Sequence, residues 1–159
     1  MVPELVTESI ERQSEVRVWV PGCSTGDEAY SLAILFFEEF EKRNQPVSLK
    51  IFATDIGADF TEKASFGHYS KDIEEFVSSE RLDSFFKKTD TGYSIVQAVR
   101  QCIVFANHNL QADAPFTRLD LVSCRNTLIY FSADAQKEIL HRLQFALNIH
   151  GFLLLGSSE

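Results

Sequence analysis

Long apolar runs are missing from this 159-residue chain. None approaches the roughly 18 consecutive apolar residues that a membrane-spanning helix needs, so no insertion into a membrane is expected. Residues 1–13 also lack the basic start and apolar stretch of a secretory signal. Positive charge is in deficit: 15 Lys and Arg face 23 Asp and Glu, a formal net charge of -8. That balance argues against a protein that grips nucleic-acid phosphates, which takes a basic face, and against adsorption to anionic lipid. Cysteine is scarce, with only Cys23, Cys102 and Cys124, odd in number, widely spaced and set in apolar surroundings. Neither a disulfide framework nor a CxxC metal site is suggested, and a reducing, cytoplasmic setting is expected. The four histidines, His68, His108, His141 and His150, have no metal-ligand spacing, so no metal is expected either. Internal repeats, low-complexity tracts and proline-rich linkers are absent.

What remains is the composition of one globular unit. The chain is 45% hydrophobic, with 14 Phe against a single Trp and a single Met. Its length suffices for one sizeable core and not for two ordinary domains, so residues 1–159 are expected to form a single domain.

After a polar, helical stretch over residues 3–13, Val16-Arg17-Val18-Trp19-Val20 reads as a strand that Pro21 and Gly22 stop. A helix follows, because Ala29, Leu32, Ala33, Phe36 and Phe40 recur at three- and four-residue intervals. Asp27 and Glu28 sit in its first turn, where negative charge suits the macrodipole. Residues 49–54 form a second strand ending on Asp55, which completes a βαβ unit. Such units are right-handed and parallel, and ligands bind beyond the carboxyl ends of their strands. The pattern between residues 61 and 88 predicts two short helices. The β-branched residues of 93–99 and 102–106 predict short strands of an inserted hairpin or edge piece, a small β piece at about 92–105. Residues 119–124 read as a buried strand. Ile139, Leu140, Leu143, Ala146 and Leu147 mark a helix face, Gly151 is placed to end that helix, and 152–155 read as a last strand. The order of elements predicts an α/β doubly wound fold with a mostly parallel sheet.

Two features point to a bound nucleoside. Gly22 and Gly26 flank a Cys23-Ser24-Thr25 turn at a strand-to-helix junction, which lets backbone approach a ligand closely. The same turn also reads as tight packing with small residues. It has neither the GxGxxG spacing of a dinucleotide fingerprint nor the GK[ST] of a P-loop, which disfavours a nicotinamide-dependent oxidoreductase. Asp55, at the end of the second strand, can accept both hydroxyls of a ribose, or it can cap the next helix; Asp59 reads as a helix cap. Cys23 and Cys124 read as small buried residues, not nucleophiles.

Four segments in order sharpen this. Pro21-Gly22-Cys23-Ser24-Thr25-Gly26-Asp27-Glu28-Ala29-Tyr30-Ser31 resembles the nucleotide loop of the chemotaxis receptor methyltransferases, the CheR family. Phe52-Ala53-Thr54-Asp55-Ile56 resembles their second-strand motif, and Asn107-His108-Asn109-Leu110 their Asn-Leu element. Cys124-Arg125-Asn126-Thr127-Leu128-Ile129-Tyr130-Phe131 resembles their Cys-Arg-Asn…Ile-Tyr-Phe signature, and the terminal Gly156-Ser157-Ser158-Glu159 their strand end.

The resemblance implies a Rossmann-like fold dependent on S-adenosylmethionine, with S-adenosylhomocysteine as product and no metal. It implies methyl transfer to glutamate carboxylates in the cytoplasmic helical region of chemoreceptors. Gly22, Ser24, Thr25 and Gly26 would form the cofactor loop, Glu28 would bind the methionine amino group, and Asp55 the ribose. Asn109 and Leu110 would meet the adenine, and Asn126 would line the cleft. Arg125 and Tyr130 would stand at the reacting end and orient the carboxylate. Each has a plainer alternative: Arg125 paired with a surface carboxylate, Asn126 forming a turn, Tyr130 a core aromatic.

Relatives also carry an amino-terminal helical domain, an Asn-x-Thr-x-Phe-Phe-Arg segment and a final antiparallel strand pair, none of which is found in these 159 residues. A core truncated at both ends is therefore expected, with self-association through an exposed sheet edge. In some relatives the inserted β piece docks a receptor tail peptide. The alternative to an enzyme is a non-catalytic module that binds S-adenosylmethionine, or a partner, inside a larger signalling protein.

Overall fold

The computed structural model describes residues 1–157 and 159; Ser158, in the terminal Gly156-Ser157-Ser158-Glu159 resemblance, lies outside the described residues. Helix α1 (Val2–Arg12) precedes strand β1 (Val16–Pro21), helix α2 (Asp27–Lys42) and strand β2 (Leu49–Asp55). β1 and β2 pair in parallel, from Val16 opposite Leu49 to Pro21 opposite Thr54. Period-two alternation sends Val16, Val18, Val20, Leu49, Ile51 and Ala53 to one face, against Leu5 and Val6 of α1 and Ala29, Ala33, Phe36 and Phe40 of α2. Trp19 points to the other face, where its indole N–H donates to Thr54 Oγ1 at 2.9 Å.

The middle of the chain packs on the α2 face. Helix α3 (Ala58–Phe66) and strand β3 (His68–Tyr69) lead through a 3-10 turn to helix α4 (Ser79–Phe85). Strands β4 (Phe86–Thr89) and β5 (Gly92–Ile95) follow, then helix α5 (Gln97–Gln101) and strand β6 (Ile103–Asn107). A small antiparallel sheet is present, in the order β3-β5-β4.

Its bounds correct the hairpin alternative and its expected limits of about 92–105, whereas the edge alternative fits the run at 102–106. The piece runs from residue 68 to residue 95, residues 97–101 are helical, and β6 belongs to the main sheet, parallel to β2 from Ile51 opposite Ile103 to Asp55 opposite Asn107. β-Branched residues favour a strand without naming its neighbour, and an edge of the main sheet was open to this one. Asp59 is also corrected. The N-cap of α3 is Gly57, without a side-chain cap, and Asp59 lies in the first turn.

Strand β7 (Leu119–Cys124), helix α6 (Ala133–Ala146) and strand β8 (Leu147–Leu155) close the fold. Ile139, Leu143 and Ala146 of α6 cover Trp19, Leu119, Val122 and Cys124, so helices occupy both faces of the sheet. The sheet order is β6-β2-β1-β7-β8 with every pairing parallel. This is the expected doubly wound α/β architecture with a small added β piece.

Gly151 does not end α6. The helix stops at Ala146 and the chain turns directly into β8, where two steps of β7, from Leu119 to Leu121, face five of β8, from Leu147 to Phe152. The bulge takes up the excess with His150 at φ 73° and Gly151 against the Leu119 carbonyl, where a Cβ would come within 3.0 Å. Beneath it the buried Asp120 carboxylate accepts from Arg12 Nη2 (3.1 Å), the Arg17 N–H (2.8 Å) and Asn148 Nδ2 (2.9 Å), tying α1, β1 and β8 together.

Candidate functional site

The chain runs outward from β1 through β2 to β6, then returns to the other side of β1 with β7. That reversal between β1 and β7 is the place where an open α/β sheet parts its loops and takes a ligand. Registered pairs between β1 and β7 stop at Trp19 opposite Val122. Beyond them opens a cleft of about 710 Å³, within the 300–1,000 Å³ range of small-molecule sites.

The loop after β1 is built around three left-handed residues, Gly22 (φ 69°), Ser24 (φ 46°) and Gly26 (φ 86°). The two glycines serve different contacts. A Cβ on Gly22 would lie 2.2 Å from Thr127 Oγ1, so its bareness lets the β1 loop seat against the loop after β7. A Cβ on Gly26 would meet Ala64 and Phe105, at 3.0 and 3.1 Å. Gly26 is the N-cap of α2 and packs behind the cleft instead of lining it.

Asp55 receives this loop. Its Oδ2 accepts the Ser24 N–H at 2.9 Å and its Oδ1 the Gly57 N–H at 3.0 Å. Asn107 Nδ2 donates to the carbonyls of Asp55 (3.2 Å) and Ile56 (2.6 Å) and locks the end of β2 to β6. Across the cleft, Glu28 in the first turn of α2 accepts a short hydrogen bond from Ser123 Oγ of β7. Burial raises the Glu28 pKa, and Glu159 adds to that effect; the Ser123 hydrogen bond and the charge of Arg125 oppose it.

Of the residues singled out in the sequence, Gly22, Ser24, Thr25, Glu28, Asp55, Asn109, Leu110, Arg125, Asn126 and Tyr130 all line this one cleft, and Gly26 does not. Asn126 adopts φ 55°, a conformation Asn tolerates better than most residues. Asn109 Oδ1 accepts from the N–H groups of Gln111 (2.9 Å) and Ala112 (3.3 Å) and shapes the turn after β6. Tyr130 is no core aromatic: it is 81% exposed, on the rim. Arg125 is exposed and joins no salt bridge among the described residues.

The lining also includes Ile56, Phe60, His108 and Thr127, which sequence reasoning did not assign. The bareness of Gly22 was the one available hint of Thr127. The Cys23 and Cys124 thiols are each pushed up to about 12, by burial first and then by nearby carboxylates. They stay protonated at neutral pH, which suits packing and not nucleophilic attack.

The sheet order, the cleft at its switch point and a carboxylate at the end of β2 define a doubly wound α/β domain with a small-molecule cleft. The chain belongs to the family described as CheR methyltransferase, SAM binding domain, which it matches over residues 1–159. An uncharacterized 104.1 kDa protein in the hypE 3' region of Rhodobacter capsulatus is 48% identical over 146 residues, covering 92% of this chain and 15% of that protein. The chemotaxis protein methyltransferase of Listeria innocua is 35% identical over 160 residues, covering 100% of this chain and 58% of the relative. The chain therefore spans little more than half of the Listeria enzyme and a small part of the Rhodobacter protein. Among solved structures, phosphoethanolamine N-methyltransferase 1 of Haemonchus contortus, in complex with phosphoethanolamine and S-adenosylhomocysteine, aligns with a TM-score of 0.55 at 16% identity. That alignment covers 97% of this chain and 25% of the other, and at such low identity it supports the fold alone.

Proposed function

We propose that this chain is the S-adenosylmethionine-binding core of a methyltransferase that esterifies glutamate side chains in the cytoplasmic helical region of chemoreceptors. The observation that carries the reading is the convergence of residues 22–25, Glu28 and Asp55 on one cleft at the sheet's switch point. Its donor set fits the cofactor. Asp55 is held by two N–H groups and retains lone pairs for the ribose hydroxyls. Glu28 has one oxygen engaged by Ser123 and offers the other to the methionine ammonium. Asn109 and Leu110 would meet the adenine, and Asn126 with residues 22–25 would hold the middle of the molecule.

When bound, the cofactor supplies a methyl group on a positively charged sulfur. The acceptor is a glutamate carboxylate already ionised at neutral pH, so the protein needs no general base. Its task is to align the two reactants and keep water out, and alignment alone can remove about 7–11 kcal/mol of barrier. Arg125 and Tyr130, both exposed and lining the cleft, would orient the incoming carboxylate. The test is labelled methyl transfer to receptor fragments, read as base-labile ester. Label on glutamates that Tyr130→Phe and Arg125→Ala reduce supports the reading. No ester in the presence of bound cofactor overturns catalysis.

A second reading keeps the binding and drops the chemistry: a cofactor-binding or interaction module of a larger signalling protein. The Rhodobacter relative favours it, since only 15% of that 104.1 kDa chain is matched. Cofactor binding without ester formation would select it. We also propose that residues 1–159 act as one domain in either case, and that an edge of the sheet can pair with a second copy. A strict monomer at high concentration would exclude the pairing.

A further inference from the structure

Glu28 stands on the second residue of α2, and its partner Ser123 lies on β7, 95 positions away in sequence. Ser123 is fully buried and does not line the cleft; it stands behind Glu28. Among the described residues its hydroxyl is the one side-chain donor to the Glu28 carboxylate, and it reaches a single oxygen, Oε1. The hydrogen bond ties the first turn of α2 to β7, one residue beyond the last registered pair of β7 with β1. A long carboxylate side chain with no such anchor would sample several rotamers, and each loses entropy when a ligand fixes it.

We infer that Ser123 is a positioning residue for cofactor binding: it holds Glu28 Oε1 so that Oε2 faces the cleft, ready for the ammonium group of an amino-acid ligand. The inference rests on the cofactor reading above. Among the described residues the buried hydroxyl has no other side-chain hydrogen-bond partner, and a buried serine is costly unless its hydrogen bond is made.

The electrostatics give the arrangement a measurable signature. The charged and titratable groups around Glu28 are Arg125, Glu159, the Cys23 and Cys124 thiols, and Asp27 beside it in the chain. Burial favours the protonated carboxyl, and the Ser123 hydroxyl favours the ionised form. Ammonium binding needs the ionised form. Removing the hydroxyl should therefore move the acidic loss of affinity to higher pH.

The experiment is calorimetric titration of the protein and its Ser123→Ala variant between about pH 5 and pH 8. The ligands are S-adenosylhomocysteine and its desamino analogue, in which hydrogen replaces the α-amino group. Ser123→Ala should weaken S-adenosylhomocysteine about tenfold near neutral pH and shift its acid limb upward. The desamino analogue should change by less than about twofold, which also certifies that the variant is folded. Equal weakening of both ligands would reduce Ser123 to a structural role and overturn the inference, as would an unchanged affinity for S-adenosylhomocysteine. If the unsubstituted protein binds neither ligand, the cofactor reading itself has failed, an outcome seen before any variant is compared.

Discussion

The main-chain N–H of Ser24 donates to Asp55 Oδ2 at 2.9 Å, so the glycine loop and the carboxylate at the end of β2 position each other across the mouth of the cleft. A ligand that needs both finds them already arranged. Replacing Asp55 with Asn keeps the shape and removes the charge. Hydrogen bonds to charged groups contribute about 1.5–3 kcal/mol, so Asp55→Asn should weaken S-adenosylhomocysteine by roughly 10- to 150-fold, and it should also lower thermal stability, because its NH2 must face the N–H of Ser24 or of Gly57. An unchanged dissociation constant would remove Asp55 from the ribose site.

Gly22 predicts a coupled pair. Gly22→Ala puts a methyl 2.2 Å from Thr127 Oγ1 at a residue with φ 69°. The left-handed backbone alone costs about 1–2 kcal/mol, and the overlap adds to it. Thr127→Ala removes the two nearest atoms, so the double variant should recover part of the stability lost by Gly22→Ala. Strict additivity in denaturant unfolding would show that the two loops do not press on each other.

Glu28 predicts opposite effects on stability and binding. Its folded-state pKa is raised, chiefly by burial. Between the unfolded value, about 4.3, and the raised folded value, the native state binds the extra proton, so Glu28 lowers stability as pH rises through that window. Glu28→Gln should be more stable than the parent at neutral pH, the difference vanishing below the unfolded pKa, while S-adenosylhomocysteine binds at least about tenfold more weakly. Melting curves across pH and titration at pH 7 read the two halves separately. A variant less stable at neutral pH would contradict the burial argument.

The Asp120 clasp separates a buried from an exposed partner. Asp120→Ala strands the Arg17 N–H and Asn148 Nδ2 as well as Arg12, and a buried donor left unsatisfied costs about 1–3 kcal/mol. Arg12 is 42% exposed along its side chain, and truncating it removes the counter-charge of Asp120 but leaves that carboxylate the Arg17 N–H and Asn148 Nδ2, so Arg12→Ala should cost less than Asp120→Ala. Equal losses on chemical unfolding would count against this division.

These contacts also mark where the sequence was readable. The period-two run of 16–20, the helical repeat from Ala29 to Phe40 and the carboxylate at residue 55 are local patterns, so β1, α2, β2 and the cleft mouth between residues 22 and 55 could be read directly, whereas Glu28, Asn109, Leu110, Arg125, Asn126 and Tyr130 were singled out only through the family resemblance. Partners could not be. The run at 102–106 carries the propensity of any strand, and only the open edge beside β2 decided that it joins the main sheet. Gly151 looked like a helix stop because a glycine in a bulge and a glycine at a C-cap read alike. The Ser123 to Glu28 contact joins residues 95 positions apart, and a serine in a buried strand does not say what it will meet.

The central claim is that the cleft takes an adenosyl sulfonium amino acid. Titration calorimetry with S-adenosylmethionine, S-adenosylhomocysteine and NAD, on the protein and on Asp55→Asn, tests it most directly. The account predicts one site per chain for the sulfonium and its thioether product, weaker binding of both in the variant, and no heat from NAD. Tight binding of NAD with no response to the sulfonium pair would contradict it.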